Sequence, residues 1–246
     1  MSRAIEIEAA AGTIDAHVFT PAGATAALPA VILLTDIGGL RDCYYEKAQI
    51  VADGGYAVRM PNVYYRDAWG SVVPEGKSFR DEDVRPTLFA YAAHLTPAAQ
   101  RLDFDAWLAG IDGEPEFDTS NVGVVGYCMT GAFALRMAAH HPERVAAAAG
   151  FHSANLAQAD DPDSPVHNVD SIQAQVYLGH ADGDTLLPPA QIARLDEALA
   201  KAGVHFCTEL YKGASHGYTA KDAPVYNANA DARHYKRLLT LFEECL

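Results

Sequence analysis

Val122-Gly123-Val124-Val125-Gly126-Tyr127-Cys128-Met129-Thr130-Gly131 is the stretch that decides how this chain is read. Val122 to Val125 is a short apolar run of the kind that forms a buried strand, and Ala132 to His140 reads as a helix. Between them Cys128 stands two residues after Gly126 and three before Gly131. A nucleophile on a sharp strand-to-helix turn is exposed above the sheet, with a helix amino terminus behind it. The pattern predicts this elbow with a thiol in the nucleophile's place, and therefore nucleophilic catalysis by cysteine.

The same alternation extends outward. Arg3 to Ala9 and Thr13 to Phe19 read as an opening hairpin around Ala11-Gly12, and Ala30 to Thr35 as a fully buried strand. Tyr44 to Gly54 reads as a helix, Tyr56 to Met60 as a strand stopped by Pro61, and Thr96 to Ile111 as a helix capped by Thr96 with Pro97 at its first position. Beyond the elbow come strands Val145 to Phe151 and Gln175 to Gly179, helix Pro189 to Ala202, strand His205 to Tyr211 and a last helix from about Asn229. Tyr64 to Val84 and Ala154 to Asp170 read as loops. Short apolar runs alternating with helices predict an α/β fold, a mostly parallel sheet covered on both faces, in one domain over 1–246. Such sheets carry their sites at the carboxyl ends of strands.

Bulk properties narrow the function classes. A formal charge of −14 on 246 residues argues against nucleic acid or an anionic membrane as partner, since both need a basic surface. Met1 to Glu6 has no apolar signal core, so the expected compartment is the cytoplasm. Cys43, Cys128, Cys207 and Cys245 are widely spaced, with no zinc-binding pattern, and read as free thiols in a reducing setting. The acidic run Asp160 to Asp163 lacks the calcium-loop glycine and reads as a solvated loop.

A cysteine nucleophile needs a base, and the base needs an orienting acid. The run after strand Gln175 to Gly179 contains Asp182 and Asp184; the run after strand His205 to Tyr211 contains Ser215-His216-Gly217-Tyr218. Three separate post-strand loops thus supply Cys128, an aspartate and His216 in the order nucleophile, acid, histidine. Spacing to Pro188 favours Asp184 over Asp182, which otherwise reads as a turn residue.

On these motifs, together with Asp184-Thr185-Leu186-Leu187-Pro188 and Thr35-Asp36-Ile37-Gly38-Gly39, nearly the whole chain resembles the dienelactone hydrolase family of the α/β-hydrolase superfamily. The resemblance implies a Cys128, Asp184 and His216 triad that opens esters or lactones through a thioester. It implies an oxyanion hole from the Met129 and Ile37 N–H groups, Asp36 as the acidic residue that governs the thiol, and Arg85, with Arg80 as the alternative, as a contact for anionic substrate. Tyr127, Tyr218 and His152 are expected to line the substrate pocket. Thr130 stands where the family has glycine, and should widen the elbow or bring its hydroxyl into the pocket. Ala220 stands where the family has an arginine.

The expected function is therefore cysteine-dependent hydrolysis of a small-molecule carboxylic ester or lactone, without cofactor or metal, by a monomer or small homo-oligomer. Other activated esters, phosphotriesters included, are the alternative within enzymes. A weakly catalytic ligand-binding or sensor protein on the same fold is the alternative outside them.

Overall fold

The structure, a computed structural model, describes residues 1–246. The chain divides into two compact units, Met1–Ser120 and Asn121–Leu246.

In the first unit, β1 (Ser2–Ala9) and β2 (Gly12–Phe19) form the expected antiparallel hairpin. Strand β2 pairs antiparallel with β4 (Ala57–Pro61), which pairs parallel with β3 (Leu28–Leu33). Ala30 to Leu33 are fully buried, as a near-continuous apolar run in a parallel strand requires. Helix α1 (Asp42–Asp53) packs on β4, and α3 (Pro97–Ala109) packs on β1. Thr96 caps α3 as expected, its side chain accepting from the Ala99 N–H at 3.2 Å. The Tyr64 to Val84 stretch contains no helix or strand, as expected. One element is unforeseen: α2 (Arg85–His94) buries only Leu88, so it lacks the apolar stripe by which a sequence announces a helix.

The second unit carries the elbow. Strands β5 (Phe117–Tyr127), β6 (Val145–Phe151), β7 (Gln175–Ala181) and β8 (Phe206–Tyr211) pair in parallel in that order. Helix α4 (Thr130–His140) packs against β6, and a 3-10 helix over Pro165–Ser171 touches both α4 and α5 (Pro189–Ala202). That 3-10 helix lies in the segment expected to be wholly loop, where Pro165 starts a short turn of helix. Helix α6 (Ala228–Cys245) packs on β6 and β7. Gly150 faces α4 and its neighbour Phe151 faces α6, so the two helices cover opposite faces of the sheet. The first unit's strands pair in mixed fashion and the second unit's wholly in parallel, as an α/β sheet that is mostly parallel requires. No helix is long and apolar enough to cross a membrane.

One buried residue of β7 bears on acid stability. His180 is 3 % exposed and neither ring nitrogen has a hydrogen-bond partner. Burial lowers it from 6.5 to about 4, against the opposing charge of Asp184, so it is folded in as a neutral ring. A depressed histidine costs stability as pH falls, because the unfolded chain takes up a proton that the folded one refuses. Between pH 6.5 and about 4 the loss should reach roughly 3 kcal/mol. Urea unfolding of His180→Leu should therefore show a flatter acid limb than the wild type; parallel acid limbs would contradict this.

Candidate active site

The elbow is built from close approaches that only glycine permits. A Cβ on Gly126 would lie 2.0 Å from the Thr130 carbonyl oxygen, and one on Gly131 would lie 2.0 Å from Ser153 Oγ at the end of β6. With hydrogen at both positions, α4 closes directly onto the strands. Cys128 then sits in the left-handed region at φ 57°, a conformation that costs a non-glycine residue about 1–2 kcal/mol. Its N–H donates to Phe151 O at 3.1 Å, and its carbonyl accepts from Gly131 N at 3.3 Å and Ala154 N at 3.2 Å.

Thr130 departs from its expected role. It is wholly buried, and its hydroxyl turns back onto the residue before the nucleophile. The Tyr127 N–H donates to Thr130 Oγ1 at 2.8 Å, and that hydroxyl donates to Tyr127 O at 3.0 Å. The hydroxyl neither enters a pocket nor opens the turn; it ties the turn shut.

Two further loops bring their side chains to the thiol. Gly183, at φ 62°, turns the chain after β7 so that Asp184 Oδ1 accepts from Leu186 N at 2.9 Å while Oδ2 lies 2.6 Å from His216 Nδ1. His216 follows β8, between turns at Gly213 (φ 73°) and Gly217 (φ 91°), and its Nε2 lies 3.1 Å from Cys128 Sγ. Nδ1 facing a carboxylate fixes that nitrogen as a donor, leaving Nε2 to exchange a proton with sulfur. Asp182, the competing aspartate, is exposed and accepts from Gly213 N at 2.9 Å, which braces the loop that carries His216.

Burial opposes charge on His216, but hydrogen bonds to Asp184 and Cys128, with their charges, outweigh it and raise the ring from 6.5 to about 10. The ring is an imidazolium at neutral pH, beside the sulfur.

Tyr127, Tyr218 and His152 are all fully buried, so the expectation that they touch substrate gives way to one of support. Tyr127 OH lies 2.8 Å from His234 Nε2 and Tyr218 OH donates to Gly179 O at 3.2 Å. His152, at φ 38°, places Nε2 2.9 Å from Thr219 Oγ1 and packs its ring at 5.3 Å, edge to face, against His216. Strand alternation explains the tyrosine: if Cys128 stands at the exposed turn, the residue before it points to the α6 face.

Met129 stands at the amino end of α4, and the remaining sequence-predicted residues belong to the first unit. Asp36 has both oxygens engaged by Arg41, at 2.6 and 2.9 Å, and Oδ1 also accepts from Gly38 N at 2.8 Å. Arg41 was not singled out from the sequence, although a cation five residues after a key carboxylate was the available signal. Ile37 O accepts from Tyr64 OH at 3.0 Å. Arg85 is exposed and lies over the Phe89 ring at 5.5 Å. Of the other cysteines, Cys43 is buried and Cys207 exposed.

Comparison with known proteins gives the family and the fold. The dienelactone hydrolase family profile matches residues 14–246. The chain belongs to the dienelactone hydrolase family. Among curated relatives of this family member, a carboxymethylenebutenolidase of Rhodococcus opacus is 28 % identical over 224 residues, covering 88 % of this chain and 81 % of the relative. A provisional carboxymethylenebutenolidase of Synechocystis sp. is also 28 % identical, over 87 % of this chain and 85 % of its own. Among solved structures, a provisional dienelactone hydrolase of Klebsiella pneumoniae matches with a TM-score of 0.86 at 22 % identity, over 99 % of this chain and 98 % of that one. A dienelactone hydrolase-like promiscuous phosphotriesterase from metagenomic libraries matches at 0.81 and 22 % identity, over 100 % and 98 %. At such identity these structures speak for the fold.

The raised histidine sets a pH dependence. A group whose folded value is raised stabilises fully below its unfolded value and loses that contribution as pH climbs through the folded one. The stability gap between wild type and His216→Gln should be widest below pH 6.5 and shrink as pH rises to about 10. Denaturant titrations at three pH values measure it; a gap that widens with pH contradicts the assignment.

Proposed function

We propose that the protein is a cysteine-dependent hydrolase of small carboxylic esters or lactones, acting through a thioester on Cys128. The carrying observation is the chain of contacts from Cys128 Sγ to His216 Nε2 at 3.1 Å and from His216 Nδ1 to Asp184 Oδ2 at 2.6 Å. Family membership and the carboxymethylenebutenolidase names of its relatives support an ester or lactone as substrate.

In this reading Cys128 attacks as a thiolate paired with the His216 imidazolium. A sulfur–carbon bond forms and the carbonyl π pair moves onto oxygen. Met129, the residue after the nucleophile at the amino end of α4, offers its N–H to that oxyanion. Collapse breaks the carbon–oxygen bond, and Nε2 delivers its proton to the departing alkoxide. Neutral His216 then takes a proton from water; hydroxide attacks the thioester, and the thiolate and imidazolium are restored. Asp184 stays ionised throughout and holds the ring's orientation. The family resemblance adds the Ile37 N–H as second donor, Asp36 as regulator of the thiol and Arg85 as a contact for anionic substrates. Tyr127, Tyr218 and His152 form the packed support beneath.

The phosphotriesterase among the structural neighbours favours a second reading, attack of the same thiolate on an activated phosphotriester. Substrate preference separates the two, since the first reading expects faster turnover of p-nitrophenyl acetate and neutral lactones than of a p-nitrophenyl phosphotriester.

Hydrolysis of p-nitrophenyl acetate should show a burst equal to the enzyme present, and iodoacetamide should abolish it. Cys128→Ala should lower kcat by at least about a thousandfold. Esterase activity at the wild-type level in Cys128→Ala would overturn the proposal.

A further inference from the structure

The hydrolytic scheme uses the part-buried pair His216 and Asp184, and the second unit contains another histidine–aspartate pair, deeper in the core. Asp231 and His234 lie one turn apart near the start of α6, 3 % and 0 % exposed. His234 Nδ1 is 3.2 Å from both Asp231 Oδ1 and Asp231 O. Asp231 Oδ2 accepts from Tyr226 OH at 3.0 Å. Both groups facing Nδ1 are acceptors, so Nδ1 carries the proton and Nε2 is left to accept. What it faces is the Tyr127 hydroxyl at 2.8 Å. Burial holds Tyr127 well above the ordinary tyrosine range, so the phenol keeps its proton and donates it.

Tyr127 is the residue before the nucleophile. Its side chain is tied to α6 through His234, and its own peptide groups are tied to Thr130 Oγ1 at 2.8 and 3.0 Å. His234 also reaches the elbow by a second route. Its ring stands edge-on to Phe151 at 4.3 Å, and Phe151 O accepts the Cys128 N–H at 3.1 Å. One histidine thus touches both the residue before Cys128 and the residue whose carbonyl takes the Cys128 N–H. Core packing alone does not ask for this arrangement, since apolar side chains of the same volume fill such a space without stripping water from a carboxylate, an imidazole and a phenol.

We propose that Asp231, His234 and Tyr127 form a positioning relay that holds the Cys128 elbow in its left-handed conformation and so keeps Sγ on His216. The relay touches no substrate. It rests on the reading of Cys128 as the nucleophile. A displacement of about 1 Å at such a centre is enough to slow chemistry by one to two orders of magnitude while binding is little changed. The relay therefore acts on kcat, whereas a merely structural role would show in stability.

The test uses the full-length enzyme, with kcat normalised to the p-nitrophenyl acetate burst and iodoacetamide alkylation of Cys128 timed in parallel. In Tyr127→Phe, which removes one oxygen, kcat and the alkylation rate should both fall about tenfold, with KM within about twofold of wild type. His234→Gln places an amide oxygen where Nε2 was and should keep kcat within about threefold; His234→Leu should not. In Tyr127→Phe/His234→Leu no polar atom of that contact is left unpaired, so part of the lost stability should return while kcat stays low. Recovery of kcat together with stability in the double variant would overturn the relay, as would wild-type kcat in folded Tyr127→Phe. Cys128→Ala run alongside separates the two levels: if it turns over, the underlying reading fails; if it is dead while Tyr127→Phe is unimpaired, only the relay fails.

Discussion

The left-handed backbone of Cys128 is the constraint from which the rest of the second unit follows. At φ 57° the residue projects its thiol out of the sheet instead of alternating back into it. Such a conformation persists only when its surroundings over-determine it. Gly126 and Gly131 let the strand and helix close, Phe151 O and Ala154 N take the Cys128 peptide groups, and the Thr130 hydroxyl staples Tyr127 on both sides. Thr130 thus adds two hydrogen bonds at the turn that a glycine there could not make.

Two histidines of this unit have opposite fates for one physical reason. His216 bonds Asp184 and the Cys128 sulfur directly, and those contacts overcome burial and keep it charged. His180 feels the charge of Asp184 without a hydrogen bond, and burial prevails, leaving it neutral. Contact geometry, rather than depth alone, decides which ring carries a proton.

Much of this was legible in the sequence, and the legible part has a common origin. Strand Val145 to Phe151 and helix Pro189 to Ala202 match the structure at both ends, because each has a clear apolar pattern bounded by turn residues. Cys128, Asp184 and His216 come together because each follows a strand of one parallel sheet, and sequence order alone placed those loops at one end. What the sequence hid depends on side-chain direction. Tyr127 and Tyr218 read as pocket aromatics, and both are core, their hydroxyls spent on His234 and Gly179. Thr130 read as widening the elbow or bringing its hydroxyl into the pocket, and that hydroxyl faces backbone. The Asp231–His234 spacing was visible as an i,i+3 pair, but an amphipathic helix offers such pairs freely, and only burial gives this one meaning.

In the proposed reading the chemistry turns on the thiol. The most direct measurement is therefore of the covalent intermediate. Acid-quenched enzyme, sampled during turnover of p-nitrophenyl acetate, is weighed intact and then mapped by peptide. The account predicts one acetyl group per chain on the peptide containing Cys128, labile to hydroxylamine and absent from Cys128→Ala. Full turnover with no acyl group on Cys128, or with the acyl group on another residue, would contradict it.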